Sequence, residues 1–282
     1  MADAIHGNTQ LGATKEAMIA SVVQRELLEG LVVAPTVMDV SAFCEPGAKS
    51  IEFPKAGSFT VANRTEGSAG DATVLTFATD LLNLNQNAYV SWIVDYKSAV
   101  QSKISTQLVM AQRAASAHAY YLDQQIIAEL EAAGDATATA GAISYAIILE
   151  MRKRYRDRNG KLDQATLLVG TDSEQTLLNI DEFKRAEVYG SAVIPNGVIG
   201  KIHGMNVVVS NKVAASSYYL YDKEAIAYGI QAGPSYSEQG ANEFGSQAKR
   251  AVLDQIFGVK AMFVGQNGAG VAESALIIKD NN

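Results

Sequence analysis

Residues 99–133 contain neither glycine nor proline, and apolar side chains return along them every three or four positions. Val100, Ile104, Leu108, Ala111, Ala115, His118, Leu122, Ile126 and Leu130 fall on one face of a helical repeat, which predicts a single continuous helix. At 1.5 Å per residue such a helix would reach roughly 50 Å, several times the usual length, and would act as a spine for whatever packs on it. Ala111, Ala114, Ala115, Ala117 and Ala119 let a sheet or a second helix approach closely, and Gly134 supplies a stop. His118 lies on the apolar stripe, where a hydrogen-bonded core or interface histidine is the expected role.

The segments around this spine carry different periods. In residues 12–30, Ile19, Val22, Val23 and Leu27 line one face of an amphipathic arm, and its apolar side must lie on this subunit or on a neighbour. Ile51 and Phe53 alternate with Glu52, and a second extended run passes from Val74, Leu75 and Phe77 through Leu81, Leu82 and Leu84 to Tyr89 and Trp92. Between the two runs, residues 55–72 hold Gly57, Gly67 and Gly70 among Ser, Thr and Asp, which is turn chemistry. A long hairpin is predicted, and a lone two-stranded hairpin needs a surface to pack on.

Beyond residue 135 the pattern alternates as in an α/β unit. Ile143, Ile147, Ile148 and Met151 fit a helix, residues 165–169 an apolar strand, and Asp172 with Gln175 a capping box. Residues 198–203 and 206–210 flank Gly204 and Met205 as a second hairpin, and residues 218–221 read as another strand. Residues 233–240 look like a connection, residues 248–264 carry Val252, Ile256, Val259, Met262 and Phe263, and a Gly-rich turn precedes Leu276 to Ile278.

Composition and motif searches remove most chemistries. At 48% hydrophobic and 19% charged, the 282-residue chain is built to fold, and its formal charge of −7 argues against a dedicated duplex-DNA reader. The sole cysteine, Cys44, cannot close an internal disulfide. Residues 1–10 lack the basic and apolar regions of a secretory signal, and no run is long and apolar enough to span a membrane. His6, His118 and His203 are scattered, and no zinc frame or nucleophile elbow occurs. A phosphate loop at Gly200-Lys201 fails at Pro195 and Ile202, residues 265–270 have GxxGxG spacing with no helix following, and a calcium loop from Asp157 fails at Leu162. No catalytic residue, metal site or cofactor is expected. Arg152, Lys153, Arg154, Arg156 and Arg158 form the densest basic run, placed at the end of a helix where cations suit the dipole and can face solvent or another subunit.

The order of elements, arm, long hairpin, spine helix, α/β insertion and return strand, resembles the major capsid proteins of tailed bacteriophages, the Hong Kong-97-type fold shared with encapsulin shells. The phrases that carry the likeness are Leu167-Leu168-Val169-Gly170 leading into Leu177-Leu178, residues 198–211, and residues 275–280. The resemblance implies an α+β subunit with an N-terminal arm (1–48), an extended loop (49–85), a peripheral domain on the spine helix (86–135 and 241–282) and an axial domain (136–240). It further implies a structural protein of the virion, not an enzyme, that assembles in the host cytoplasm. Its copies would form hexamers and pentamers of an icosahedral shell around double-stranded DNA without reading sequence. Portal, scaffolding and decoration proteins would be its partners. Lys55, Phe59, Arg64 and Glu66 of the loop, with Arg152, Arg154 and Arg156, are the expected subunit-contact residues. Lys55 occupies the place of the lysine that cross-links some relatives, but no motif fixes a partner for it. An encapsulin-like compartment is the structural alternative, and a soluble α/β enzyme with its site in residues 136–240 the other.

Overall fold

The computed structural model describes residues 18–23, 25–27, 30–56, 63, 77–95, 101, 106–136, 142–158, 160–180, 198–239, 248–262 and 276–281. The predicted spine is present as helix α1, Thr106–Ala133, and residue 101 is also helical. Its buried side is Ala111, Ala114, Ala115, His118, Ala119, Leu122, Asp123, Ile126, Ile127 and Leu130, the alanines giving the close approach and the larger residues the apolar contact.

Two sheets flank this helix. One is formed by β1 (Met38–Asp39), β10 (Ile226–Gln239), β11 (Lys249–Ala261) and β4 (Gln86–Val94), in that order. The other runs β5 (Asp135–Ala136), β12 (Ile277–Asn281), β9 (Ser217–Asp222), β6 (Ala165–Gly170), β8 (Met205–Ser210), β7 (Val198–Ile202). Strands β2 (Ser50–Ala56) and β3 (Phe77–Asn83) pair antiparallel as a separate ribbon. The strands β6 and β9 at the centre of the six-stranded sheet are buried at every residue. Leu168, Tyr219 and Tyr221 turn toward the cluster around α1, whereas Leu167, Val169, Tyr218 and Leu220 turn to the opposite face. Helices α2 (Tyr145–Asp157) and α3 (Thr171–Leu178) cover that second face through Ile147, Ile148, Met151, Tyr155 and Leu177.

The arm folds back on its own subunit. Ile19, Val23 and Leu27 are buried in the same cluster as Ala115, Ala119 and Leu122, and a Cβ on Gly30 would stand only 3.0 Å from that of Ala119. The second hairpin is β7–β8, with its turn one residue earlier than expected. His203 and Gly204 take φ of +49° and +89°, the left-handed pair that a tight hairpin turn requires.

Several local expectations are corrected. Residues 233–239 belong to the 14-residue strand β10 and are not a connection, because register shifts between Ile230 and Ser235 absorb Gly233 and Pro234 without ending the ladder. The N-cap of α3 is Gly170 with no side-chain cap bond, so Asp172 sits inside the first turn and meets the helix dipole instead. The hydrogen bonding also does not divide at residue 240. Strand β10 joins β11 and β4, whereas β12 pairs with β9 in the six-stranded sheet.

Candidate assembly surfaces

The β2–β3 ribbon is anchored at its root. Leu82 is fully buried with Val40, Ala227 and Met262, and Ile51 and Phe53 pack partly against them. Lys260 is ion-paired with Asp80, and the amide of Leu84 donates to the Lys49 carbonyl at 3.0 Å, closing the base. Gly258 permits β11 to pass beneath the ribbon, since a Cβ there would meet the Asn83 carbonyl oxygen at 2.2 Å. Of the expected loop contacts, Lys55 stands in β2 opposite Ala78, while Phe59, Arg64 and Glu66 lie outside the described residues.

The basic run closes α2. Ser144 caps the helix start by accepting from the Ile147 amide at 3.4 Å, and Arg154 and Arg156 fall in the last turn. Arg154 donates to the Ala136 carbonyl at 2.7 Å and to Glu150 Oε1 at 3.2 Å, and Arg158 pairs with Asp135. Those two arginines therefore tie α2 to β5. Arg152 is half-buried, while Lys153 and Arg156 are exposed and point away from the subunit.

The residue that sequence reasoning missed is Asp123. It is fully buried on α1 and accepts from the amides of Val32 at 2.9 Å, Val33 at 3.3 Å and Ala34 at 3.0 Å. The Lys212 ammonium, itself buried, donates to its second oxygen at 2.6 Å. One carboxylate thus joins the arm, the spine helix and the turn after β8. The only sequence signal was an acidic residue beside a stripe of apolar ones, which reads equally well as surface.

Nothing in these surfaces converges as catalytic groups do. Among the described residues no cluster of three His, Cys, Asp or Glu is placed to hold a metal ion, and no helix is long and apolar enough to cross a membrane. His118 is buried with Nε2 3.3 Å from the Leu253 carbonyl oxygen, the role expected from its stripe. Burial lowers its proton affinity, partly opposed by the Leu253 carbonyl and by Asp254. Tyr155, Tyr219, Tyr221 and Tyr228 are pushed upward, chiefly by burial, and stay neutral hydroxyls. Burial also raises the Cys44 thiol, which is a packing residue.

Comparison with known proteins places this architecture. Many solved structures share the fold, among them the three that follow. That of Mycobacterium phage Che8 matches at 19% identity and a TM-score of 0.71, covering 89% of this chain and 91% of the other. The mature capsid of bacteriophage PhiM1 matches at 13% identity and a TM-score of 0.63 over 87% and 85% of the two chains. A virus-like particle from Pyrococcus furiosus matches at 8% identity and a TM-score of 0.63 over 95% and 99%. No curated protein sequence matches the chain. The family model for phage capsid proteins matches residues 95–265, from just after β4 to just past β11, and the chain therefore belongs to the phage capsid protein family.

Proposed function

We propose that this chain is the major subunit of a tailed-phage head, assembling as hexamers and pentamers into an icosahedral shell that encloses double-stranded DNA. The observation that carries the proposal is the family match over residues 95–265 on a subunit that carries a separate two-stranded ribbon. A ribbon of two strands is marginal in water, so its far end gains stability by lying across a neighbour, and folding energy becomes assembly energy. Residues 57–72 then act as an intersubunit clamp, with Lys55, Phe59, Arg64 and Glu66 at the contact and Arg152 and Arg156 facing another copy. Net acidity of −7 suits a wall that confines nucleic acid without gripping it. In this reading the subunit keeps four parts, with β10 grouped with the spine and β12 with the six-stranded sheet, as their strand pairing suggests. Portal, scaffolding and decoration proteins would meet the assembled shell in the host cytoplasm.

The likeness to the Pyrococcus furiosus virus-like particle favours a second reading, a compartment loaded with protein. Negative-stain microscopy of purified protein, followed by nuclease treatment and analysis of the contents, tests both. Closed particles protecting double-stranded DNA in infected cells are expected; particles holding only a protein cargo would establish the compartment, and a small oligomer with no particles would end the shell reading.

A further inference from the structure

Strand β4 is the outermost member of the four-stranded sheet. Its inner edge pairs with β11 from Gln86 opposite Phe257 to Val94 opposite Lys249, and among the described residues nothing pairs with its outer edge. Its nine residues, QNAYVSWIV, include no charge and no proline. Natural sheets blunt a free edge with those very devices, so a long uncharged edge without them marks a pairing surface. Tyr89 and Ile93 are 67% and 60% exposed on it.

A groove of about 370 Å³ runs between this edge and α1, lined by Ala88, Val90, Ala117, His118 and Tyr121 among others. Beside Ala88, on the sheet face turned to α1, the Gln255 side chain is fully buried and neither atom of its amide has a hydrogen-bond partner. Its neighbours along β11 are already committed. The Leu253 carbonyl meets His118, and the Phe257 ring packs edge-on against Tyr121 at 6.0 Å. The orphaned amide lies in the core behind the groove and does not line it, so what the groove itself offers is the exposed edge with Ala117 and Tyr121 beside it.

We infer that this edge pairs with the same edge of a second copy, antiparallel about a two-fold axis, joining two four-stranded sheets into one; this rests on the shell reading above. The choice of a second copy comes from charge. An axis of that kind sets each residue near its twin, which penalises any face carrying one sign of charge. Residues 86–94 carry none, and residues 106–124 of α1 carry only Arg113 and the buried, ion-paired Asp123. Apart from the exposed Arg113, a charged partner would find nothing here to recognise. The axis also lays the two α1 helices side by side over the seam. Met110, Ala117 and Tyr121, exposed in the single subunit, then lie between the helices and close the grooves.

Both helices lie on one side of the joined sheet, so the axis stands perpendicular to the sheet between the two β4 strands, and one position alone faces its own twin across it. Across that pair the Cα atoms would be about 4.5 to 5.5 Å apart, within disulfide range. Single cysteines introduced in turn at residues 87–93, in a chain whose own Cys44 is buried, should give an oxidised dimer strongly at one position and not at its immediate neighbours. Tyr89→Lys with Ser91→Lys should leave circular dichroism and Tm of the subunit unchanged while weakening the dimer at least tenfold. Absence of cross-linking at all seven positions would overturn the inference. So would a disulfide between Ile93→Cys and Glu52→Cys on different copies, which would assign the edge to a neighbour's ribbon. Normal particles from the double-lysine variant would sink the edge pairing and leave the shell reading intact. A single-cysteine variant that cross-links at one position of β4 alone, in a chain that never forms particles, would do the reverse.

Discussion

The Asp123 carboxylate is removed from water but not from partners, because three backbone amides and one ammonium replace its hydration. Removing such an anion strands a buried cation and three donors at once. Asp123→Ala should therefore cost about 3 to 5 kcal/mol, read from the urea midpoint at constant slope, whereas Lys212→Met should cost less because the three amides remain. An Asp123→Ala variant within about 0.5 kcal/mol of wild type would show that the arm is held by its apolar contacts alone. His118 gives a prediction in pH. An unfolded histidine titrates near 6.5, and burial holds the folded one lower, so the unfolded chain binds more protons below that value. Its contribution is fully present above about pH 6.5 and declines as pH falls through that point. His118→Gln should lose stability less steeply than wild type between about pH 6.5 and 5; parallel curves would assign the acid sensitivity to other groups.

At the scale of elements, α1 shows what periodicity can establish. Its stripe is buried from Ala111 to Leu130 as the spacing requires, but Leu108, on the same stripe, is only half-buried near the beginning of the helix. Leu122→Ala should cost about 2 to 5 kcal/mol, and Leu108→Ala less than half as much, by chemical denaturation. Equal losses would mean that the first turns are covered as deeply as the middle. The ribbon root depends on a different feature. At Gly258 an added methyl would press on a backbone oxygen of Asn83, which cannot swing away as a side chain can. Gly258→Ala should therefore speed amide exchange in β3 while leaving β6 and β9 protected; unchanged exchange in β3 would show that the root shifts freely. Neither β10 nor β11 was legible to the same degree. Strand β10 contains Gly229, Gly233 and Pro234, which locally signal a turn, and only pairing with β11 on one side and β1 on the other makes it a strand.

For the whole molecule, the expected test is removal of residues 57–72 with a short turn in their place. The subunit core, whose clusters draw on the arm, α1 and both large sheets, should fold with unchanged Tm, while closed particles disappear from electron micrographs. Normal particles from the deletion would remove the clamp from the proposal. The sequence by itself determined the spine helix, the arm's apolar face, the two hairpins and the central buried strands, since these follow from spacings of two or about three and a half residues acting within one segment. The capsid family was legible by resemblance, through the order of these elements and not through any spacing. Only the tertiary structure decided that Asp123 is a buried junction reaching Val32 and Lys212, that β12 completes the six-stranded sheet, and that β4 is left at an edge. Those outcomes depend on which distant segments meet. A carboxylate and its ammonium 89 positions apart have no local period to announce them, because their energy exists only after the chain has closed around both.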